Sequence, residues 1–399
     1  MGYRVLSMDG GGSWALIEIR ALIALYGATT TGHEVLEDFD LVVGNSGGAM
    51  IMGGLLEDMA LEDLLHYYED ETTRRTLFSP TSNRIYRLLN RWIGIGPKYS
   101  EARKLAALNG ILKKAGGKTL EEAARGLGRR AASGANVHLL IIGFDYEANR
   151  AAFFRSAETK GPEWGHGHRA TATLAEAIHA STNAPVNFFD GPAALPSGGL
   201  FWDGGLTGCN NPVLAGVTEA IGQGQNPTDV VALSLGTGIV ALPVRDPRDP
   251  ADSVFVQKPA ERGLRADVRR LATSIMDDPP DVATFLSHVM TGLGSGIAAP
   301  SVPSRIVRLN PQISPSGAPG TWRPPGPLTE DEFREIKDLE VDVLGQREIE
   351  KVIAYAKHWI ADDVPNQPIR EDNQTLKPEL GHDKFSEAVK AWRALMNSY

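Results

Sequence analysis

The stretch Tyr3-Arg-Val-Leu-Ser-Met-Asp-Gly-Gly-Gly12 decides the fold class, because it reads as a short strand that runs into a glycine-rich turn. The helical spacing of the apolar residues that follow predicts a helix over Ser13–Leu25. The same order returns in Asp40–Val43, a predicted strand, Gly44-Asn-Ser-Gly-Gly48, a second turn, and Ala49–Met59, a second helix. Two successive strand–turn–helix units are typical of an α/β fold with parallel strands. Functional sites of such sheets lie at the carboxyl ends of the strands, so both turns are expected there, side by side.

The composition indicates a folded protein and excludes several classes. Hydrophobic residues make up 42% and charged residues 22% of 399 residues, which argues against wholesale disorder and coiled coil. The 40 Lys and Arg against 49 Asp and Glu give a net charge of −9, which argues against DNA binding as the main activity. The single cysteine, Cys209, allows no internal disulfide and no multi-thiolate zinc site, and it favours a cytoplasmic, reducing environment. No run of 18 apolar residues occurs, so contact with the inner membrane is expected to be peripheral.

The second turn carries the clearest chemical signal. Gly44-Asn-Ser-Gly-Gly48 fits the pattern G-x-S-x-G between a predicted strand and a predicted helix. There Ser46 projects from a strained turn as a candidate nucleophile, and Gly44 and Gly48 let strand and helix approach closely. The first turn offers Gly10, Gly11 and Gly12, whose backbone N–H groups suit a developing oxyanion or a phosphate.

The base that would activate Ser46 is less certain from the residues alone. None of the nine histidines lies in an obvious strand-end motif beside a glycine turn. Phe201-Trp-Asp-Gly-Gly205 places Asp203 at the end of a short predicted strand, where its carboxylate can accept the serine proton directly. A plain Asp-Gly turn explains the same residues, and both interpretations stay open at this point.

Six separated segments occur in an order that resembles the patatin-like phospholipases, and the resemblance covers about residues 3–240. The segments are Asp9–Gly12, Gly44–Gly48, Ala180–Phe189, Asp203–Gly205, Asn210–Pro212 and Leu233–Gly238.

The resemblance implies a three-layer α/β/α fold with a mostly parallel central sheet, and hydrolysis of the acyl esters of membrane phospholipids. It implies Ser46 as nucleophile, Asp203 as base, and the amides of Gly10, Gly11 and Gly12 as the oxyanion hole, with no cofactor and no metal. The glycine loop departs from the family pattern at Trp14, where the family has a cation, and at Ala15, where it has a glycine.

The remaining chain, residues 241–399, is expected to form an insertion, a last strand over Arg305–Leu309 and C-terminal helices that pack on the 3–240 core. Thr329 and Glu332 form a predicted capping box, after which a helical stretch runs to about Ile360.

A basic segment, Arg84–Arg91, lies in a stretch without Asp or Glu and precedes Trp92. This composition predicts a helix face that binds anionic lipid, a solvated helix whose arginines pair with acidic side chains, or a surface that binds an anionic activator. Some patatin-like effectors of bacterial antiphage systems respond to cyclic oligonucleotides, and the compact length fits that subgroup. An oligomer is compatible with the sequence.

Three other functions compete with this hypothesis. An actin-like or sugar-kinase-like ATPase would bind the phosphates of ATP with Asp9–Gly12 and Leu233–Gly238, but its chemistry does not need the Gly44–Gly48 turn. An α/β-hydrolase would need His288 or His382 to complete a Ser-Asp-His triad. A non-catalytic binding module would have no use for an intact Ser46 and Asp203.

Overall fold

The computed structural model describes residues 2–77, 99–128, 136–156, 171–185, 188–258, 263, 279–292, 304–369 and 381–398. The Arg84–Arg91 segment lies outside the described residues, so the predictions made for it remain predictions.

The central sheet has eight strands, ordered β5-β6-β3-β2-β1-β7-β9, with β4 also paired to β3. The pairs that join β3, β2, β1, β7 and β9 are parallel, whereas β4, β5 and β6 pair antiparallel. A separate parallel pair joins β8 to β10. The strands are β1 (Tyr3–Met8), β2 (Leu41–Asn45), β3 (His138–Asp145), β4 (Arg150–Arg155), β5 (Ala193–Ala194), β6 (Leu200–Asp203), β7 (Val230–Leu235), β8 (Ile239–Val240), β9 (Ile306–Leu309) and β10 (Gln312–Ile313).

Helices cover the sheet. They are α1 (Leu16–Tyr26), α2 (Gly32–Leu36), α3 (Gly47–Leu56), α4 (Leu61–Glu69), α5 (Glu71–Leu77), α6 (Glu101–Ile111), α7 (Leu120–Gly126), α8 (Leu174–Ser181), α9 (Val213–Gly222), α10 (Pro279–Thr291), α11 (Glu330–Lys337), α12 (Gln346–Ile360) and α13 (Phe385–Ser398). Short 3-10 turns precede α1, at Gly12–Ala15, and follow β6, at Gly204–Thr207.

Alternation along the strands creates the layers. Leu6 and Val42 point into one core with α1, α3 and α12, whereas Val5 and Val43 point into a second core with α9. Because successive side chains of a strand point to opposite faces, a strand buried on both faces needs helices on both sides. The mostly parallel sheet between two helical layers confirms the predicted α/β/α fold class.

The chain after residue 240 contributes to the same sheet, because β9 pairs with β7. Thr329 caps α11 by accepting the Glu332 N–H at 3.3 Å, as the capping box predicts. The continuous helical stretch predicted to Ile360 is wrong: α11 ends at Lys337, and residues 338–345 cross to the glycine loop before α12 begins.

A buried ion pair joins β9 to the end of β1. Arg308 donates to both carboxylate oxygens of Asp9, at 2.9 and 2.5 Å, and both side chains are 5% exposed. The Glu18 carboxyl accepts the Asp9 N–H at 2.6 Å, and burial raises the pKa of Glu18 well above its usual value. Burial therefore disfavours the charged form of Glu18, and Arg308 balances the charge of Asp9.

Arg308→Met is expected to lower the free energy of unfolding by about 3–5 kcal/mol, because it leaves the Asp9 carboxylate buried without its counter-ion. Denaturant unfolding measures this loss. Arg334→Met is the matched control, since the Arg334 pair with Glu330 is exposed and contributes little. Equal losses in the two variants would contradict a structural role for the Asp9–Arg308 pair.

Candidate active site

Ser46 occupies a strained turn between β2 and α3. Its φ of 47° is a left-handed value that non-glycine residues adopt at a cost. The neighbouring glycines are required by space: a Cβ on Gly48 would lie 2.2 Å from the Met8 carbonyl oxygen, and one on Gly44 would lie 2.9 Å from the Gly48 carbonyl oxygen. The turn thus presents a half-buried serine at the N-terminus of α3, as the G-x-S-x-G pattern predicts.

The pairing of β3 brings Ser46 and Asp203 together. On β3, β2 pairs with residues 138–142 and β6 with residues 143–145, while β4 pairs with residues 140–145. Since β4 overlaps both partners and a strand has two edges, β2 and β6 must share the opposite edge. They run towards each other along it, so that Asn45 and Asp203, partners of Ile142 and Gly143, end at the same place.

Asp203 is buried, with 4% of its surface exposed, and several groups contact its carboxylate. Gly205 donates its N–H to Oδ1 at 2.8 Å, and Asn45 donates its side-chain amide to the same oxygen at 3.5 Å. The Ser46 hydroxyl also lies near this carboxylate, and as a donor it lowers the pKa of Asp203. Burial raises the pKa of Asp203 above its usual value, while these donors act in the opposite direction.

Ser181, at the end of α8, holds the backbone of the serine turn. The Ser46 N–H donates to Ser181 Oγ at 2.9 Å, and that hydroxyl lies 3.5 Å from Asn45 Oδ1. Ser181 belongs to the Ala180–Phe189 segment that carried the family resemblance, so the sequence marked the segment without showing what it does.

Lys104 is a site residue that the sequence analysis missed. Its ammonium donates to the His179 carbonyl at 3.1 Å and to Asn183 Oδ1 at 3.0 Å, and it lies 4.0 Å from the centre of the Phe189 ring. The Asn183 carbonyl in turn accepts the Asp203 N–H at 3.0 Å. Burial lowers the pKa of Lys104, whereas the Asp203 carboxylate raises it, so the two charges stabilise each other. No local motif surrounds Lys104, because its partners come from α8 and the loop after it.

The glycine loop lies against the serine turn, and its three amides differ. A Cβ on Gly10 would lie 3.2 Å from the Ser46 Cβ, which shows how closely the loop approaches. The Gly10 N–H already donates to the Asn210 carbonyl at 2.8 Å. Among the described residues, the N–H groups of Gly11 and Gly12 have no acceptor. That the three amides form an oxyanion hole stays a prediction, and the N–H groups of Gly11 and Gly12 are its best-placed donors.

The segment of residues 338–345 covers the start of the 3-10 turn. The Val341 carbonyl accepts the Ser13 N–H at 3.0 Å, and the Glu340 carbonyl accepts the Trp14 indole N–H at 3.0 Å. Tyr99 donates to Asp342. Trp14, which stands where the family has a cation, thus binds backbone of the C-terminal part of the chain.

A narrow apolar cleft of about 40 Å³ begins at Gly12 and Ser13. Most of its walls come from facing sides of α3, α4 and α6. The lining residues are Met50, Gly54, Met59, Leu64, Tyr67, Tyr68, Arg74, Leu108, Ile111 and Leu112. Arg74 is 2% exposed and donates to the Tyr68 and Leu344 carbonyls. The cleft therefore has methionine side chains that can adapt to a flexible apolar group next to the candidate nucleophile.

The histidines proposed for a triad lie elsewhere. His288 is in α10, where its Nδ1 contacts Ser304 Oγ at 3.0 Å, and burial lowers its pKa. His382 precedes α13, and its carbonyl accepts from the Asn366 side chain at 2.8 Å. Neither contacts Ser46 or Asp203 in the described part of the chain. Within that part, no group of three His, Cys, Asp or Glu side chains is arranged to hold a metal ion.

Comparison with known proteins gives a family match. Residues 6–217, more than half of the chain, match the family model described as patatin-like phospholipase. A curated relative from Pseudomonas aeruginosa, named cGAMP-activated phospholipase, is 28% identical over 218 residues, which are 54% of this chain and 56% of the relative. The chain thus spans about half the length of this relative.

Two solved structures also show similarity. VipD from Legionella pneumophila has a TM-score of 0.36 at 12% identity, with 89% of this chain and 66% of that chain covered. Human GIVD cytosolic phospholipase A2 has a TM-score of 0.24 at 18% identity, with 39% and 22% covered.

A fluorophosphonate probe, which reacts with activated serines, is expected to label the protein at Ser46. Ser46→Ala should abolish labelling, and Asp203→Asn should slow it about 100-fold or more, because the hydroxyl loses its proton acceptor. Mass spectrometry of the labelled peptide and a time course measure both effects, with the exposed Ser386→Ala as control. Rapid labelling of Ser46→Ala would show that another serine reacts.

Proposed function

The chain belongs to the patatin-like phospholipase family, and from this premise we propose that it hydrolyses acyl esters of membrane phospholipids through Ser46 and Asp203. The observation that carries the proposal is the position of the Ser46 hydroxyl beside the buried Asp203 carboxylate, with the amides of Gly11 and Gly12 nearby. A serine, a base and two oxyanion donors are what acyl transfer needs.

Acylation begins when Asp203 accepts the Ser46 proton and the serine oxygen attacks the ester carbonyl carbon. The tetrahedral oxyanion is stabilised by the Gly11 and Gly12 N–H groups, each worth about 3–4 kcal/mol by analogy with other oxyanion holes. As the intermediate collapses, the ester C–O bond breaks and Asp203 returns the proton to the leaving alcohol. In the second half, Asp203 takes a proton from water, whose oxygen attacks the acyl-serine carbonyl carbon. As the bond between that carbon and the Ser46 oxygen breaks, Asp203 returns the proton to Ser46 and the fatty acid is released.

Burial prepares Asp203 for this role. A carboxylate in water is a weak base, with a pKa near 4. Desolvation raises the pKa of Asp203, which makes the carboxylate a better proton acceptor, while the Gly205 N–H, the Ser46 hydroxyl and the field of Lys104 limit the rise.

The cleft beside Gly12 supports a lipid as substrate. It is lined mostly by aliphatic side chains and begins at the glycine loop, where the acyl carbon would lie. Removing a fatty-acyl chain from water favours binding by about 0.8 kcal/mol for each buried methylene group. None of the described helices has the length and apolar content to cross a bilayer. We also propose that the enzyme acts in the cytoplasm, with peripheral contact at the inner membrane.

The proposal includes an activator. The Pseudomonas aeruginosa relative is named for activation by cGAMP. A cyclic oligonucleotide is accordingly the class of molecule that we expect to raise the activity of this chain, as in an antiphage effector.

Product analysis of hydrolysed phospholipid vesicles tests the function. The wild-type protein, with and without cyclic dinucleotides, is expected to release free fatty acid and lysophospholipid. Ser46→Ala and Asp203→Ala should each lower the rate by at least about 100-fold with unchanged circular dichroism. Fatty-acid release by Ser46→Ala at the wild-type rate would refute the mechanism, and absence of release under every condition would refute the function.

The pH dependence of kcat/KM tests the role of Lys104. The rate is expected to fall as the pH drops through the raised pKa of Asp203, because only the carboxylate accepts a proton. Lys104→Met removes a positive charge that favours that carboxylate, so the acidic limb should move to higher pH by about one unit.

Two controls accompany the pH profile. Lys104→Arg keeps the charge and should leave the acidic limb near its wild-type position, and Lys113→Met removes a charge from an exposed lysine. A profile that does not move in Lys104→Met, at any change in kcat, would show that Lys104 acts only through packing.

A further inference from the structure

A second cavity, of about 830 Å³, lies beside the glycine loop and is unused by the mechanism. Gly11 and Trp14 form part of its wall, but Ser46 and Asp203 do not. Much of the wall comes from β8 and β10, the end of α11 and the loop that carries Trp322, and Asn210, Thr237 and Arg308 also line it. Its volume is within the range of about 300–1,000 Å³ for small-molecule sites. The cavity is therefore large enough for a ligand of its own.

The lining suits a ligand with flat polar rings. Trp14 and Trp322 supply two indole groups, and side-chain amides occur around them. The Trp322 indole N–H is buried without a hydrogen-bond partner. The Gln312 side-chain amide has no partner among the described residues either. Indoles stack on nucleobases, and free amides bind their donor and acceptor edges.

The charges of the lining favour an anion. In a chain of net charge −9, the cavity wall contains two basic side chains, Arg308 and Lys337, and one acidic side chain, Asp9. Arg308 already neutralises Asp9. Lys337 is therefore the cation in the wall that a phosphate can bind, in exchange for its contact with the neighbouring Asp338.

The same wall holds the glycine loop in place. Thr237 donates its hydroxyl to the Gly10 carbonyl at 2.9 Å, and Asn210 accepts the Gly10 N–H at 2.8 Å. A Cβ on Gly11 would lie 2.2 Å from Thr237 Oγ1, so loop and wall are in direct contact. Movement of Thr237 or Trp14 would therefore be transmitted to the amides that face the oxyanion.

We propose that this cavity is the effector site for a cyclic dinucleotide, with a base against Trp322, Gln312 at a base edge and Lys337 at a phosphate. The occupied site would fix the glycine loop with the Gly11 and Gly12 N–H groups directed at the oxyanion, and so activate the enzyme. This inference rests on the proposed function for its activator class, and it assigns that activator a place.

Binding is measured without reference to catalysis. The purified protein is titrated with 3′,3′-cyclic GMP-AMP and with cyclic di-GMP, by calorimetry and by tryptophan fluorescence. Saturable binding of at least one of them is expected, and lysophosphatidylcholine should not compete. Failure of both nucleotides to bind, or displacement by the lysophospholipid, would overturn the assignment, the latter in favour of a product site.

Variants locate the site. Lys337→Met and Trp322→Leu should each weaken binding at least tenfold, whereas Lys357→Met, which removes a charge from the exposed face of α12, should not. Val240 is exposed at the cavity wall, so Val240→Trp should place an indole in the cavity and weaken binding at least tenfold without disturbing the core. Melting temperatures verify that each variant is folded. Wild-type affinity in the folded Lys337→Met and Val240→Trp proteins would overturn the proposal.

The two hypotheses fail separately. Nucleotide binding that depends on Lys337, with no lipid hydrolysis, would leave the cavity assignment in place and remove the proposed function. Hydrolysis that requires Ser46 but is the same in wild type and Val240→Trp, with and without nucleotide, would leave the function and remove the effector site.

Discussion

One edge of β3 is the constraint on which the site depends, because it is shared by two strands that run towards each other. β2 delivers Ser46 and β6 delivers Asp203, from positions 157 residues apart in the sequence. A strand alternates its side chains between the two faces of a sheet, so a slip of β6 by one residue along this edge would turn Asp203 to the opposite face. The register between Gly143 and Asp203 therefore sets the chemistry as much as the identity of the two residues does. In the proposed mechanism, the antiparallel end of an otherwise parallel sheet positions the base.

The two buried aspartates Asp9 and Asp203 differ in the groups that compensate their charge. Asp9 receives both guanidinium nitrogens of Arg308, which compensates its charge and makes it a structural anion. Asp203 receives a backbone amide, a weak contact with Asn45 and the serine hydroxyl, while the nearest cation, Lys104, binds the residue that positions it rather than the carboxylate itself. Partial compensation leaves the pKa of Asp203 raised by burial. A base needs such partial compensation, because full pairing with an arginine would lower its affinity for a proton.

The parts of the site that the sequence predicted are those that a short segment specifies. The strand β9, predicted over Arg305–Leu309, spans Ile306–Leu309, and the serine turn follows from two glycines around Ser46. Lys104, Arg308 and the segment 338–345 had no such signal. Each contacts residues that are far away in the sequence. A single lysine in an amphipathic helix gives the same sequence pattern whether its side chain faces water or an asparagine. The occupied amide of Gly10 is a similar case, since its acceptor, Asn210, comes from a distant loop.

The family match and the control of the site come from different parts of the chain. Ser46, Asp203 and the glycine loop lie within residues 6–217, the matched region. The groups that contact the glycine loop from the rest of the chain lie outside this matched region. Thr237 donates to the Gly10 carbonyl, and Arg308 donates to the Asp9 carboxylate. The carbonyls of Glu340 and Val341 accept hydrogen bonds from the first residues after the loop. Trp14, which stands where the family has a cation, connects the two parts of the chain. It lies in the matched region, lines the large cavity and donates its indole N–H to the Glu340 carbonyl. An oxyanion hole whose donors are backbone amides is only as well organised as the loop that carries them. The strength of the proposed oxyanion hole would therefore depend on contacts made by residues 237–345, and the proposed effector would change the rate through those contacts without touching Ser46 or Asp203.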